Sequence, residues 1–387
     1  PVYMSVPIET MLSEWTPPEY RRNVPPAPHP VPASADIERV AELLANSERP
    51  LIIAESIGRE AEGYEATVAL AELLGIPVFE SGWLDFNNFP KDHPLYQGIG
   101  AGPNAQDADL ILTLRSRTPW MPPSNRPANA TVVNIDETPF RPHMVHQSLQ
   151  ADIFLEGDAV ATLRALTDAV TAKGVDADAV AARREKWAAA HVAMVAARRE
   201  TRDAALARDE ITPIGLCATL GDVLPDDTVY IDETITHRRG ILEHLDYTGP
   251  QSFFSVSSGA LGQGLGLALG AKLARPDRTV VSVIGDGSFM YNPVTQALSL
   301  SQHRELPVLI VIFNNAGYSA MRKEHAAYYP DGVAAQENNW YGHTITDFDY
   351  AELAVPFGFY GRTVDTLADL PGVLREAHAA TEAGKTA

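Results

Sequence analysis

The residues best suited to chemistry lie in one stretch, TVVSVIGDGSFMYNPVTQALSLSQHRELPVLIVIFNNAGYSAMRK, at 279–323. Asp286 offers a hard anionic oxygen, Asn315 an amide oxygen, and the Ala316-Gly317 turn a free backbone carbonyl. Mg2+ takes about six oxygens in octahedral geometry and draws several of them from water and phosphate. These protein oxygens together with a diphosphate would suit it. Gly285 and Gly287 permit close backbone approach. Gly287 and Ser288 open the next helix, where phosphate is favoured. The expected object is a Mg-diphosphate clamp.

Elements must hold these groups together. Residues 279–284 and 308–313 are β-branched apolar runs that flank one helix-length segment. They read as neighbouring parallel strands of a βαβ unit, with Gly285-Asp286-Gly287 and Asn314-Asn315 at their carboxyl ends, where parallel sheets bind ligands. A lone GDG is a common turn. GDG after a buried strand, then 26 residues, then NN after a second buried strand is far more specific.

Elsewhere the chain divides into four parts. Residues 1–9 alternate as a strand, and a stiff linker follows with Pro17, Pro18, Pro25, Pro26, Pro28, Pro30 and Pro32. Residues 1–34 thus read as the last strand of a domain absent from this sequence, plus its linker. Residues 35–171 alternate helices (36–46, 63–74) with strands (50–54, 76–79, 109–114, 131–135, 152–155), as in a doubly wound domain. Residues 172–209 are rich in Ala and Arg and read as one or two linking helices. Their Arg pairs, interleaved with Glu185 and Glu200, form a solvated face. Residues 210–387 hold a helix at 213–224, a strand at 228–231, a helix at 259–274 and the clamp. The expected fold is α/β, with two doubly wound parallel-sheet domains joined by a helical linker.

The bulk properties exclude several classes. The 387 residues are 45% hydrophobic and 21% charged, as in a well-packed globular protein. A formal charge of −20 argues against nucleic acid and anionic membranes as partners. The one cysteine, Cys217, excludes an internal disulfide framework and lies in an apolar helical stretch. No apolar run is long enough to cross a membrane and no signal peptide is present, so a cytoplasmic location is the default expectation. His143 and His146 stand three apart without a third ligand, which favours a structural or surface role.

Two further segments carry polar chemistry. Glycines 262, 264 and 266 do not form a dinucleotide fingerprint, because spacing, preceding strand and acidic ribose ligand all fail to match. In Asp232-Glu233-Thr234-Ile235-Thr236-His237, the hydroxyls suit either a helix N-cap at Thr234 or Thr236, or a phosphate. His237 is the candidate acid or base, although it precedes Arg238 and Arg239 on an expected helix.

GDGS…VIFNNAGY resembles the thiamine-diphosphate motif of the 2-oxoacid decarboxylase and acetolactate synthase family. Residues 251–274 resemble the preceding segment in benzoylformate decarboxylase and its relatives. DADLILTL and VVNIDETPF resemble the family's central domain, and PVYMSVPIE the last strand of its N-terminal domain. The resemblance covers essentially the whole chain and is most specific over 225–330. It implies thiamine diphosphate with Mg2+ on Asp286, Asn315 and Gly317. Gly285, Gly287, Ser288, Asn314, Tyr318 and Thr236 would contact the cofactor. The Gly259 carbonyl would face its aminopyrimidine, and Leu261 would prop its two rings into a V. Tyr318, Ala320, Met321 and Glu324 would shape the substrate pocket, with Trp120 and Met121 reaching it from the central domain.

The implied activity is that of a lyase or carboligase acting next to a 2-oxoacid carbonyl, most like benzoylformate decarboxylase. The alternatives are an acetolactate-synthase-like or 2-hydroxyacyl-CoA lyase-like enzyme, with FAD or another nucleotide near Arg115 and Asp136, or a non-catalytic regulatory subunit. The family's activating glutamate belongs to its N-terminal pyrimidine-binding domain, and no residue here matches it. The resemblance therefore implies a partner polypeptide carrying that domain, in a homo- or hetero-oligomer (a dimer of dimers). The family's final apolar strand, expected after 384–387, is likewise unmatched.

Overall fold

The computed structural model describes residues 4–17, 23–26, 28–117, 119–120, 122–140, 151–256, 259–345 and 348–387. His143 and His146 lie outside the described residues. The chain forms two compact units, Pro1–Pro30 and Val31–Ala387. In the first, Ile8–Leu12 form a short helix with no buried residue. The strand expected over 1–9 is therefore not formed among the described residues. A strand needs a neighbouring edge to bond its backbone groups, and this unit offers none among them.

In the second unit, strands β1 (Pro50–Ala54), β2 (Val78–Glu80), β3 (Tyr96–Ile99), β4 (Leu110–Leu114), β5 (Thr131–Asp136) and β6 (Ile153–Glu156) form one sheet in the order β3-β2-β1-β4-β5-β6. Every pairing is parallel. β1 (PLIIA) and β4 (LILTL) are buried along their whole length, which explains their nearly continuous apolar character. Helices Ser34–Asn46, Ala61–Leu74 and Ala159–Lys173 contribute Leu44, Leu70 and Leu166 to the core beside them. Asp158 caps the last of these by accepting the Ala161 amide at 2.8 Å.

The expected linker is a single 30-residue helix, Ala177–Leu206, capped by Asp176. It packs along the first sheet: Arg183 donates to the Leu74 carbonyl, and the His191 ring bonds the Tyr96 carbonyl at 2.8 Å.

A second all-parallel sheet contains β7 (Val229–Glu233), β8 (Phe253–Ser255), β9 (Val280–Gly285) and β10 (Leu309–Phe313) in the order β10-β9-β7-β8. Its register places Phe313 opposite Gly285, so the loops after β9 and β10 emerge side by side. Between them the single expected helix is two, Asp286–Tyr291 and Val294–Arg304. Pro293 lacks the amide needed to continue the first one.

The helix expected at 259–274 begins only at Gly264. At the chain end, Ala387 donates to Val308 and accepts from Ile310, so it adds to the free edge of β10. No helix among the described residues is long and apolar enough to cross a membrane.

The segment after β2 ties the two sheets together. Lys91 donates to the Leu242 and Leu245 carbonyls at 2.8 and 3.0 Å, and Asn87 to the Gly249 carbonyl at 2.6 Å. Arg238 donates to Gly82 and Leu84 carbonyls at 3.1 and 2.7 Å.

Candidate functional site

The loops after β9 and β10 are joined by Asp286. Its Oδ1 accepts the Gly287 amide at 2.8 Å and its Oδ2 the Gly317 amide at 3.0 Å. Asn315 Oδ1 also lies 3.2 Å from the Gly317 amide. Gly317 has to be glycine on steric grounds: a Cβ there would lie 2.8 Å from the His343 carbonyl oxygen. Likewise a Cβ on Gly287 would lie 2.7 Å from the Tyr318 ring.

The loop before Gly264 is shaped by a distant carboxylate. Glu233, at the end of β7 and fully buried, accepts the amides of Gly262, Gln263 and Gly264 at 2.6, 3.0 and 3.0 Å. It thereby satisfies the free amides at the helix start. This is why the helix begins there and 259–263 remains a loop, with Gly259 at φ +70 and Gly262 at φ +95.

The 234–237 loop departs from the expected cap. Thr234 donates its hydroxyl and amide to Asp232 Oδ1 at 2.7 and 2.9 Å. The N-cap position of the Arg238–His244 helix is His237, without a side-chain cap bond. The hydroxyl of Thr236 is thus not used as a cap, and Thr236 lines the cavity. Burial pushes the Asp232 carboxyl up from its ordinary value, opposed by Arg238 and Thr234. Burial and the Lys323 charge hold the His237 imidazole below its ordinary value, against the pull of Asp286. His237 Nε2 lies 3.4 Å from Asn315 Nδ2.

These loops enclose a cavity of about 400 Å3. It brings together Thr236, His237, Gly259, Leu261, Gly285, Asp286, Gly287, Ser288, Asn315, Gly317, Tyr318, Ala320 and Met321. Three expected residues stand elsewhere. Asn314 turns its Oδ1 to the Ala316 amide at 3.0 Å and lines a groove beside β10. Glu324 is exposed and does not line the cavity. Trp120 packs against the apolar cluster of Leu51, Ile53 and Phe79 in the first sheet. Met121 lies outside the described residues. The aromatic residue that reaches the cavity from the first sheet's side is Trp83, and Thr234, Ile235 and Tyr291 also line it. No sequence signal marks Trp83, because the docking of the 81–91 segment on the second sheet places it.

A magnesium diphosphate fits this donor set. Asp286 is 3% exposed, and among the described residues no Lys or Arg pairs with it. A buried carboxylate without a countercharge is costly, and a divalent cation removes that cost. Asn315 and the Gly317 carbonyl are further hard oxygens on the adjoining loop.

The first sheet's strand order is that of a dinucleotide-binding fold, with its crevice between β1 and β4. Side chains of the protein fill that crevice. Arg115, at φ +45, pairs with Glu60 and Glu137. Glu55 accepts from Ser116 and Arg117 at 2.9 and 2.7 Å. Asp136 accepts the Thr138 amide at 2.8 Å.

Residues 37–166 match the central domain of thiamine pyrophosphate enzymes, and residues 236–385 match their C-terminal TPP binding domain. A benzoylformate decarboxylase of Pseudomonas aeruginosa is 26% identical, over 98% of this chain and 68% of that protein. The acetolactate synthase isozyme 2 large subunit of Escherichia coli is 26% identical, over 85% and 58%. A sulfoacetaldehyde acetyltransferase of Castellaniella defragrans is 26% identical, over 91% and 62%. The chain thus spans between 58% and 68% of these relatives' lengths. In structure it resembles the benzoylformate decarboxylase of Polynucleobacter necessarius, with TM-score 0.74 and 20% identity over 96% of this chain and 67% of that one. It also resembles the Rhodococcus jostii RHA1 4-hydroxybenzoylformate decarboxylase, with TM-score 0.73 and 22% identity over 94% and 64%. At these identities the likeness is one of fold.

Proposed function

Because the chain belongs to the thiamine pyrophosphate enzymes, carrying their central domain and their C-terminal TPP binding domain, we propose that it holds thiamine diphosphate through Mg2+ for a lyase or carboligase acting on a 2-oxoacid. The observation that carries this reading is Asp286, a buried carboxylate with which no Lys or Arg pairs among the described residues, tied to the Gly317 amide at 3.0 Å across two strand-end loops. Asp286, Asn315 and the Gly317 carbonyl would hold the metal. Ser288, Thr236 and the backbone around Gly287 would hold the diphosphate, and Leu261 and Gly259 would face the rings. When bound, the cofactor supplies an electron sink for cleavage or formation of the bond next to the carbonyl. The chain's own contribution is orientation, exclusion of water and a neutral imidazole at His237 to hold or pass a proton.

The pyrimidine end needs an activating carboxylate from a pyrimidine-binding domain. We assign that role to a partner polypeptide in a homo- or hetero-oligomer. The commitment of Arg115 to Glu60 and Glu137 favours a decarboxylase-like enzyme over one holding FAD in the central sheet.

Calorimetric titration of thiamine diphosphate into the full chain tests the cofactor assignment. Binding is expected with Mg2+, lost with EDTA and weakened about 100-fold in Asp286→Ala, a large effect for removing a ligand when even supporting residues cost 10–100-fold. Binding indifferent to Mg2+ or to Asp286→Ala would overturn it. Carbon dioxide release from 2-oxoacids, measured with the pyrimidine-binding partner added, tests the reaction class.

A further inference from the structure

A second cavity, of about 390 Å3, adjoins the first and shares Tyr291, Tyr318 and Met321 with it. Its far wall comes from Arg322 and His325 of the Ser319–Tyr328 helix and from Trp340 and Tyr341. The walls are aromatic on both sides. Tyr291 and Tyr318 meet edge to face at 6.4 Å, and His325 meets Trp340 edge to face at 5.4 Å. Such faces accept a flat ring.

The cavity also has a cation, and among the described residues no Asp or Glu lines it. The Arg322 guanidinium lies 5.8 Å from the Trp340 ring centroid, and among the described residues no carboxylate pairs with it. His343 lines the same cavity, and its Nδ1 is buried without a hydrogen-bond partner. A guanidinium at the edge of an aromatic slot suits a planar oxyanion. A chain of net charge −20 repels anions in general, so recognition of one here requires such a local cation.

We propose that this annexe receives the substituent of the 2-oxoacid, and that the substituent is an aryl ring bearing an anionic group. The reacting carbonyl lies on the cofactor side of Tyr318 and Met321, and the ring with its charge lies on the Arg322 side. The volume is at the small end of ligand pockets, as a single substituted ring requires. This proposal rests on the thiamine-diphosphate reading for the carbonyl end only.

The test uses the full chain and unreactive probes: terephthalate, benzoate and cyclohexane-1,4-dicarboxylate. Binding is followed by quenching of Trp340 fluorescence, with Trp340→Phe as the control that removes the signal, and by calorimetry. Mg-thiamine diphosphate is titrated in parallel. Terephthalate is expected to bind at least tenfold more tightly than either other probe. Arg322→Gln, an exposed substitution, should abolish the preference over benzoate, while Arg322→Lys keeps part of it, and cofactor affinity should not change in either. Equal affinities, no binding, or a preference that survives Arg322→Gln would overturn the proposal. If terephthalate is selected through Arg322 but the cofactor does not bind, the annexe stands and the cofactor reading falls. If the cofactor binds and no preference exists, the annexe proposal alone falls.

Discussion

The Glu233 carboxylate accepts the Gly262 and Gly264 amides at 2.6 and 3.0 Å. A residue at the end of β7 thus sets where a helix some thirty positions later begins, and so where Gly259 and Leu261 face the cavity. Asn292 joins the same carboxylate at 2.7 Å and accepts the Leu265 amide at 3.1 Å. Replacing Glu233 by Ala leaves several buried donors unpaired and is expected to cost roughly 2–4 kcal/mol. Urea unfolding measures this. In Glu233→Gln, which keeps one acceptor oxygen, the loss should be smaller, and thiamine diphosphate affinity should fall in the same order. Equal stability of wild type and Glu233→Ala would refute this role.

Gly287 and Tyr318 form a second coupled pair. An Ala methyl at position 287 would lie 2.7 Å from the Tyr318 ring, which must shift. Gly287→Ala should cost about 1–2 kcal/mol, as overpacking does, and weaken cofactor binding at least tenfold. Adding Tyr318→Ala should recover most of both losses. Additive losses in the double variant would show that the two residues do not meet.

Cys217 offers a readout of alkaline stability. It is fully buried, and burial, reinforced by Asp232, pushes its thiol from 9.0 up to about 12. Between those values the folded chain keeps a proton that the unfolded chain loses. Stability therefore falls as pH rises through this window. At pH 10.5 the contribution is about 2 kcal/mol, from 1.36 kcal/mol per pH interval. Urea midpoints at pH 8 and 10.5 should fall more in the wild type than in Cys217→Ala. An aromatic disulfide reagent should modify the thiol only as the chain unfolds.

Arg115 is expected to anchor the first sheet's crevice. Removing it leaves Glu60 and Glu137 facing each other near a buried site, and Arg115→Ala should cost about 3 kcal/mol. Burial raises the Glu137 carboxyl, but the bond and charge of Arg115 outweigh that and hold it below the ordinary range. Its stabilisation is present above the unfolded carboxyl value and is lost as pH falls below it. Melting temperatures from pH 7 to 3.5 should decline less steeply in Arg115→Ala than in the wild type.

Much of the frame was legible in the sequence, because strands buried on both faces are continuous apolar runs. β1, β4, β5 and β9 could be placed for that reason, and β10 by its apolar run although its three central residues are only half-buried. β3 and β8 were not, since four- and three-residue strands leave too short a pattern. The strand expected at 1–9 is not formed among the described residues, since a strand's identity depends on a neighbouring edge, and Ile8–Leu12 is helical instead.

That Asp286, Asn315 and Gly317 lie on two neighbouring strand-end loops was legible in the sequence, because both loops follow apolar strands and the register of two parallel neighbours brings their ends level. What only the tertiary structure decided are the contacts made between distant segments. Trp83 rather than Trp120 reaches the cavity because the 81–91 segment docks on the second sheet. Glu233 rather than local propensity starts the Gly264–Ala274 helix. Arg115 is spent on Glu60 and Glu137. Local patterns carry the strand ends, while side-chain partners far apart in the chain depend on packing that no local pattern encodes.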